Sequence, residues 1–247
     1  MIETAVALLL AHVLADFVFQ TSWIVKNKRN PLVLFLHALI VLGLSAAALG
    51  GGFTLAAYVA LAHLAMDSFK TYGLPDTLQS YLGDQFVHLT TILIASIAAP
   101  ETFAGGAWAE VHPFALHLAL FVSGAILAIT AGGYAVALLM KPYLDADKSA
   151  GDEQQLPRGL PGAGMTIGQL ERGLIFLLVM VGQPGGIGFL IAAKSILRFD
   201  AASKNHRAAE YVIIGTLSSF GWAAAIGWAT VSLAGLLPPL EIAAAAP

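Results

Sequence analysis

Six stretches of this chain, 4–24, 31–49, 53–70, 83–99, 113–140 and 208–236, are long and apolar enough to cross a bilayer as helices. Crossing takes about 20 mainly apolar residues, with ~17 as the lower limit. Two shorter segments, 167–182 and 187–199, flank Gly182-Gln183-Pro184-Gly185-Gly186 and predict two thin spans or one re-entrant hairpin. In lipid every backbone polar group needs an internal partner, which restricts such segments to helices when no closed barrel is encoded. The expected fold is therefore all-α, a polytopic helical membrane protein with about eight hydrophobic segments. Composition agrees, with 58% hydrophobic and 11% charged residues, where a soluble domain carries about 25% charged.

The first stretch has no basic residues ahead of it and holds His12 and Asp16 in its middle, so it reads as a retained span and not a cleaved signal peptide. The chain has no cysteine, which excludes disulfides, iron–sulfur clusters and thiolate catalysis. A formal charge of −3 argues against nucleic acid as a partner. Membrane lipid is the expected partner.

Charge sets the expected orientation. With these spans, all 12 Lys and Arg residues fall on one side, including Lys26, Lys28, Arg29, Lys70, Lys141 and Arg158. By the positive-inside rule that side is the cytoplasm, and both termini lie outside. Residues 141–165, polar and rich in Gly and Pro, read as a cytoplasmic linker, and 74–82 as an interfacial segment too short to span.

An internal repeat carries the polar residues. Ala11-His12-Val13-Leu14-Ala15-Asp16 recurs as Ala62-His63-Leu64-Ala65-Met66-Asp67, and the same offset of 51 pairs Phe35 with Phe86 and His37 with His88. Residues 5–48 and 56–99 share 11 identities over 44 ungapped positions. Two spans per copy return the chain to the same side, so the copies are expected to be parallel hairpins related by an axis along the membrane normal. This makes 1–100 a pseudo-twofold four-helix core with one histidine per helix. Residues 101–247 then add further transmembrane helices, the short pair 167–199 among them.

Residues four apart share a helix face, so His12 with Asp16, His63 with Asp67, and Asp84 with His88 each form an inward His–carboxylate pair. A carboxylate at the centre of a spanning helix costs about 2.5–3.5 kcal/mol on insertion scales. Three of them among four imidazoles require compensation by cations, by protons or by one another. Helical bundles build metal sites from such inward side chains, and this donor set suits a divalent ion, zinc foremost, with ligands enough for two. The candidate ligands are His12, Asp16, His37, His63, Asp67, Asp84 and His88. Asp16, His63 and Asp67 are the candidates for catalysis. Satisfied interhelical hydrogen bonding is the plainer reading of the same residues, and a His–Asp proton relay fits the spacing equally well.

Near the cytoplasmic boundary of the later helices lie Glu171, Arg172, Lys194 and Arg198. Lys194 and Arg198, with Gln20 from the first span, are candidates to hold an anionic lipid or the headgroup of a lipid-linked substrate. Snorkelling and mutual ion pairing are the alternative. Neither a Gly-x-Ser-x-Gly elbow nor a His-Glu-x-x-His motif occurs.

The segment Leu9 to Phe17 with Gln20-Thr21, then His37, the His63/Asp67 pair, and Asp84-Gln85 with His88, resembles an uncharacterised bacterial inner-membrane family, domain-of-unknown-function family 3307. Ile167 to Arg172 and Ala192 to Phe199 resemble its longer members. The resemblance implies the bacterial inner membrane and supplies no activity. There is also a loose similarity to membrane-embedded metal-dependent hydrolases that carry histidines and acids on helices. The expected function is thus a metal-dependent hydrolase acting on a membrane-associated substrate from the cytoplasmic half of the bilayer. The alternative is a metal- or proton-coupled transporter using the same residues as a transit site. A non-catalytic scaffold would leave so costly a polar core unexplained.

Overall fold

The computed structural model describes residues 1–148, 160, 162–203 and 206–240, with side chains described over 1–145, 160, 162–196 and 209–240. All regular structure among the described residues is helical: α1 (Ile2–Leu14), α2 (Ser22–Asn27), α3 (Pro31–Ala48), α4 (Phe53–Gly73), α5 (Leu78–Ala98), α6 (Phe114–Ile126), α7 (Gly132–Lys148), α8 (Ala163–Met180), α9 (Gly185–Ser203) and α10 (His206–Ala234). The chain forms two compact units, Met1–Ser123 with Ser232–Pro247, and Gly124–Val231.

Local chemistry sets the helix starts. Asn30 accepts a hydrogen bond from the Leu32 amide at 3.0 Å, with Pro31 as the first helical residue of α3. Proline is suited there, because its missing N–H is one the helix could not use. Thr77 likewise accepts from the Ser80 amide at 3.3 Å and starts α5. That cap extends α5 into the stretch expected to lie at the interface, leaving only residues 74–77 non-helical.

In the first unit α1, α3, α4 and α5 form a four-helix ring in that order, so that α1 faces α4 and α3 faces α5 across it. One end is closed by the segment after α5. Pro100 O accepts from the Met1 amine at 3.0 Å and from Thr4 Oγ1 at 2.8 Å. Trp108 Nε1 donates to Ala47 O at 2.7 Å, and the Ala107 amide to Gly50 O at 2.8 Å. The turn there requires glycine: Gly50 has φ +67°, and a Cβ on it would lie 2.6 Å from the Ala107 nitrogen. Behind this closure Val6, Leu8, Leu49, Ala56, Val59, Ile92 and Phe103 form an apolar layer. The polar layer begins one to two helical turns further along.

α1 runs into a π-helical turn at Ala15–Phe19, which contains Asp16. A π turn inserts one extra residue and is frequent at functional sites. It re-aims everything after Asp16 before α2 and α3 begin.

In the second unit α6 passes through another π turn, Leu127–Ala131, into α7. Arg172 Nε donates to the Ile129 carbonyl at 3.0 Å, and Trp222 Nε1 to the Leu127 carbonyl at 2.9 Å. Carbonyls released by the widened turn thus receive side-chain donors. Gly132 and Gly133 admit these groups: a Cβ would lie 2.5 Å from Trp222 Cδ1 and 2.9 Å from Arg172 Nη2, respectively.

Five helical stretches are long and apolar enough to cross a membrane: Ile2–Phe19, Pro31–Ala48, Phe114–Asp145, Ala163–Met180 and Ala209–Ala234. α4 and α5 have the length, 21 residues each, but their polar residues dilute the hydropathy that spans 53–70 and 83–99 were expected to show. α8 starts at Ala163, inside the expected linker, and is a full-length candidate span. In α9 the part with described side chains, Gly185–Ile196, is a shorter apolar helix of 12 residues, about 18 Å at 1.5 Å per residue. Much of the linker's remainder, 149–159 and 161, lies outside the described residues.

Candidate metal centre

The polar layer draws one histidine from each helix of the ring. His12 comes from α1, His37 from α3, His63 from α4 and His88 from α5. All four are buried, His37 fully, as are Asp67 and Asp84. The rings of His63 and His88 stack at 3.9 Å between centroids, and His12 lies 5.7 Å and 5.2 Å from them. His37 is 5.2 Å from His63.

The tightest point is a triangle. His37 Nε2 and His63 Nε2 are 3.2 Å apart, and Asp16 Oδ1 lies 3.2 Å from the first and 3.3 Å from the second. Asp67 Oδ2 sits 3.5 Å from each of the same two nitrogens. Gln20 Nε2 approaches His37 Nε2 at 3.0 Å. A ring nitrogen carries one proton or one lone pair, so His37 Nε2 cannot serve four polar neighbours at once. A cation at the centre would satisfy them together. Zinc bonds to imidazole nitrogen and carboxylate oxygen of ~2.0–2.1 Å put tetrahedral ligands about 3.3–3.4 Å apart. The Asp16–His37–His63 triangle has that size.

A second group adjoins it. His88 Nε2 lies 3.2 Å from Asp84 Oδ1 and 3.9 Å from Asp67 Oδ1. The other oxygens of these carboxylates face lysines, Lys28 Nζ at 2.8 Å from Asp67 Oδ2 and Lys70 Nζ at 2.7 Å from Asp84 Oδ2. Three sets could hold a metal ion by proximity: His12/Asp16/His63, His37/His63/Asp67 and Asp67/Asp84/His88. Several buried atoms of the layer lack a hydrogen-bond partner, namely His12 Nδ1, His37 Nδ1, Asp84 Oδ1 and His88 Nε2, while Asp67 Oδ2 is held by the Lys28 ion pair. Buried polar atoms are rarely left so, and this donor set fits a divalent cation.

Of the residues expected from sequence, His12, Asp16, His37, His63, Asp67, Asp84 and His88 meet in this one layer. Gln20, grouped from sequence with Lys194 and Arg198, instead joins His37. Lys194 belongs to the second unit and pairs with Glu171 at 2.7 Å. The Arg198 side chain lies outside the described residues. Sequence reasoning missed three participants. Gln85 bridges His12, Asp16 and Asp84, each at 3.3 Å. Its i,i+3 relation to His88 was the available signal. Lys70 stands three residues after Asp67 on one helix face, yet pairs across to α5. Lys28 follows α2 and is brought in by the turn of the chain alone, with no local signal.

A family profile described as a protein of unknown function, DUF3307, matches residues 5–112. The chain is similar to this family over that segment, which is under half of its length. The matched segment contains the whole polar layer, from His12 to His88, and ends before the second unit begins. Neither the curated proteins nor the solved structures yielded a match.

Proposed function

We propose that the chain is a membrane metalloprotein of the hydrolase type, holding a divalent ion, zinc by preference, between His37, His63 and Asp16. The triangle of these three ligand atoms carries the reading. Two histidines and one carboxylate make a common catalytic zinc set, which leaves a position for water or substrate. A bound ion would supply Lewis acidity and a more acidic water. Asp67, 3.5 Å from both imidazole nitrogens, is placed to take a proton from a water in that position. His12 and Gln85 orient Asp16, and Gln20 orients His37.

The apolar layer from Val6 to Phe103 supports a centre reached from one end only. That favours an enzyme working on membrane-associated substrates over a transit site, which needs polar access from both ends. Near the open end stand Lys28 and Lys70, with side chains 16% and 30% exposed. The positive-inside bias makes that end cytoplasmic, with both termini outside and the bacterial inner membrane as the setting. The repeat reading gains support from element bounds: moved back by 51, α4 begins where α1 begins, and α5 ends within one residue of α3. In this reading Lys194 and Arg198 remain a headgroup contact, subject to release of Lys194 from Glu171.

Elemental analysis of protein purified in detergent is the test. Wild type should carry stoichiometric metal, and His37→Ala and Asp16→Ala should each lose it. Equal metal content in all three would remove the centre. Metal or proton flux in proteoliposomes, abolished by Asp16→Asn, would replace the hydrolase reading with transport. Since the chain lacks cysteine, single introduced cysteines labelled from either side report the orientation.

A further inference from the structure

The ligands suffice for two ions, but the charges around them do not favour two. Asp16, Asp67 and Asp84 bring three negative charges to the layer, and Lys28 and Lys70 bring two positive ones. With neutral histidines, one divalent ion leaves the buried layer with a single positive charge, whereas two would leave three, deep in a low-dielectric bundle. The lysines are also distributed unevenly. Both carboxylates of the Asp67/Asp84/His88 group hold an ammonium, at 2.8 Å and 2.7 Å. Asp16 has imidazoles and Gln85 around it.

We propose that the centre is mononuclear, and that Lys28 and Lys70, held on the Oδ2 atoms of Asp67 and Asp84, act as tethered cations that supply the charge a second metal ion would otherwise bring. This rests on the metal-centre reading above and adds a stoichiometry and a cause to it. The Asp67/Asp84/His88 group has the ligand chemistry of a site: His88 Nε2 and Asp84 Oδ1 are buried, lack hydrogen-bond partners and lie 3.2 Å apart. Their partner Asp67 is shared with the first group. An ammonium on each carboxylate neutralises the charge that a second dication would need, and repels that ion at contact range. The 51-residue offset sharpens the point. It places Asp67 opposite Asp16, but Asp84 opposite Val33 and Lys70 opposite Phe19. The extra carboxylate and its lysine partner thus come as a pair that one hairpin has and the other lacks.

The experiment is zinc stoichiometry on the full chain in detergent, after equilibration with excess zinc and desalting. Wild type should retain one ion per chain, and Lys28→Met/Lys70→Met should retain two. Lys28→Gln/Lys70→Gln provides a polar substitute of similar length, should the methionine pair misfold. Manganese loading gives a second readout, an isolated-ion electron spin resonance spectrum in wild type and a coupled pair in the double variant. Two ions in wild type, or one in a folded double variant, would overturn the proposal and leave the metal centre intact. Absence of metal from every form would overturn the centre itself.

Discussion

Both units bury ionisable groups among apolar helices, and they settle them in opposite ways. In the second unit Lys194 pairs with Glu171, and Arg172 donates to the Ile129 carbonyl and to Ser219 Oγ at 3.0 and 3.1 Å. In the first unit the ion pairs of Lys28 and Lys70 coexist with nitrogens and oxygens that have too many neighbours or none. Among the described residues, all six buried side-chain atoms without a hydrogen-bond partner belong to the first unit, five of them in the His/Asp layer, where Asp67 Oδ2 alone has an ammonium beside it. The difference separates two uses of polarity inside a membrane bundle. A group whose donors and acceptors are matched by its neighbours holds helices together. A set that converges yet stays unmatched has capacity left for a ligand.

That contrast can be broken by experiment, the largest effect first. Arg172→Ala should destabilise the protein by about 3–4 kcal/mol, since it empties a packed site and strands a buried carbonyl. Metal content should not change. Steric-trap or denaturant unfolding in detergent reads the first and elemental analysis the second; loss of metal would mean that the two units share one role. Next in size is the ligand effect. Zinc at 100 times its dissociation constant should stabilise wild type by about 2.7 kcal/mol, and His63→Ala should abolish that increment. An unchanged zinc-dependent shift in His63→Ala would return the layer to plain interhelical bonding. Smallest is Lys194→Met, expected to cost about 1 kcal/mol or less for a partly exposed pair. A double-mutant cycle with Glu171→Gln measures it, and a much larger coupling would make this pair part of a site as well.

Much of the candidate centre was legible because helix periodicity is local. The i,i+4 pairs His12/Asp16, His63/Asp67 and Asp84/His88 already place candidate ligands on single faces, and each of the four helices carries one histidine. Lys28, Lys70 and Gln85 were not legible as participants. A long side chain at a helix end reaches across to whichever element packs beside it, and sequence spacing does not encode that choice. The burial of Arg172 was hidden for a related reason. Its cavity is made by Gly132, Gly133 and Gly168 and by carbonyls of a π turn, none of which advertises a cation site alone. Two of the expected spans, α4 and α5, fall below the hydropathy of the other candidates because the residues they bring to the polar layer lower it.

By itself, then, the sequence determined that this is a helical chain with helices apolar enough for a membrane and that the acids and histidines of its first hundred residues face inward together. Both follow from short-range rules, the backbone's need for internal partners and the 3.6-residue period. Only the tertiary structure decided that His37, His63 and Asp16 meet at ligand distance while two lysines claim Asp67 and Asp84. Those contacts join residues 14 to 47 positions apart in the chain, and their distances depend on how four helices pack, which no local pattern specifies.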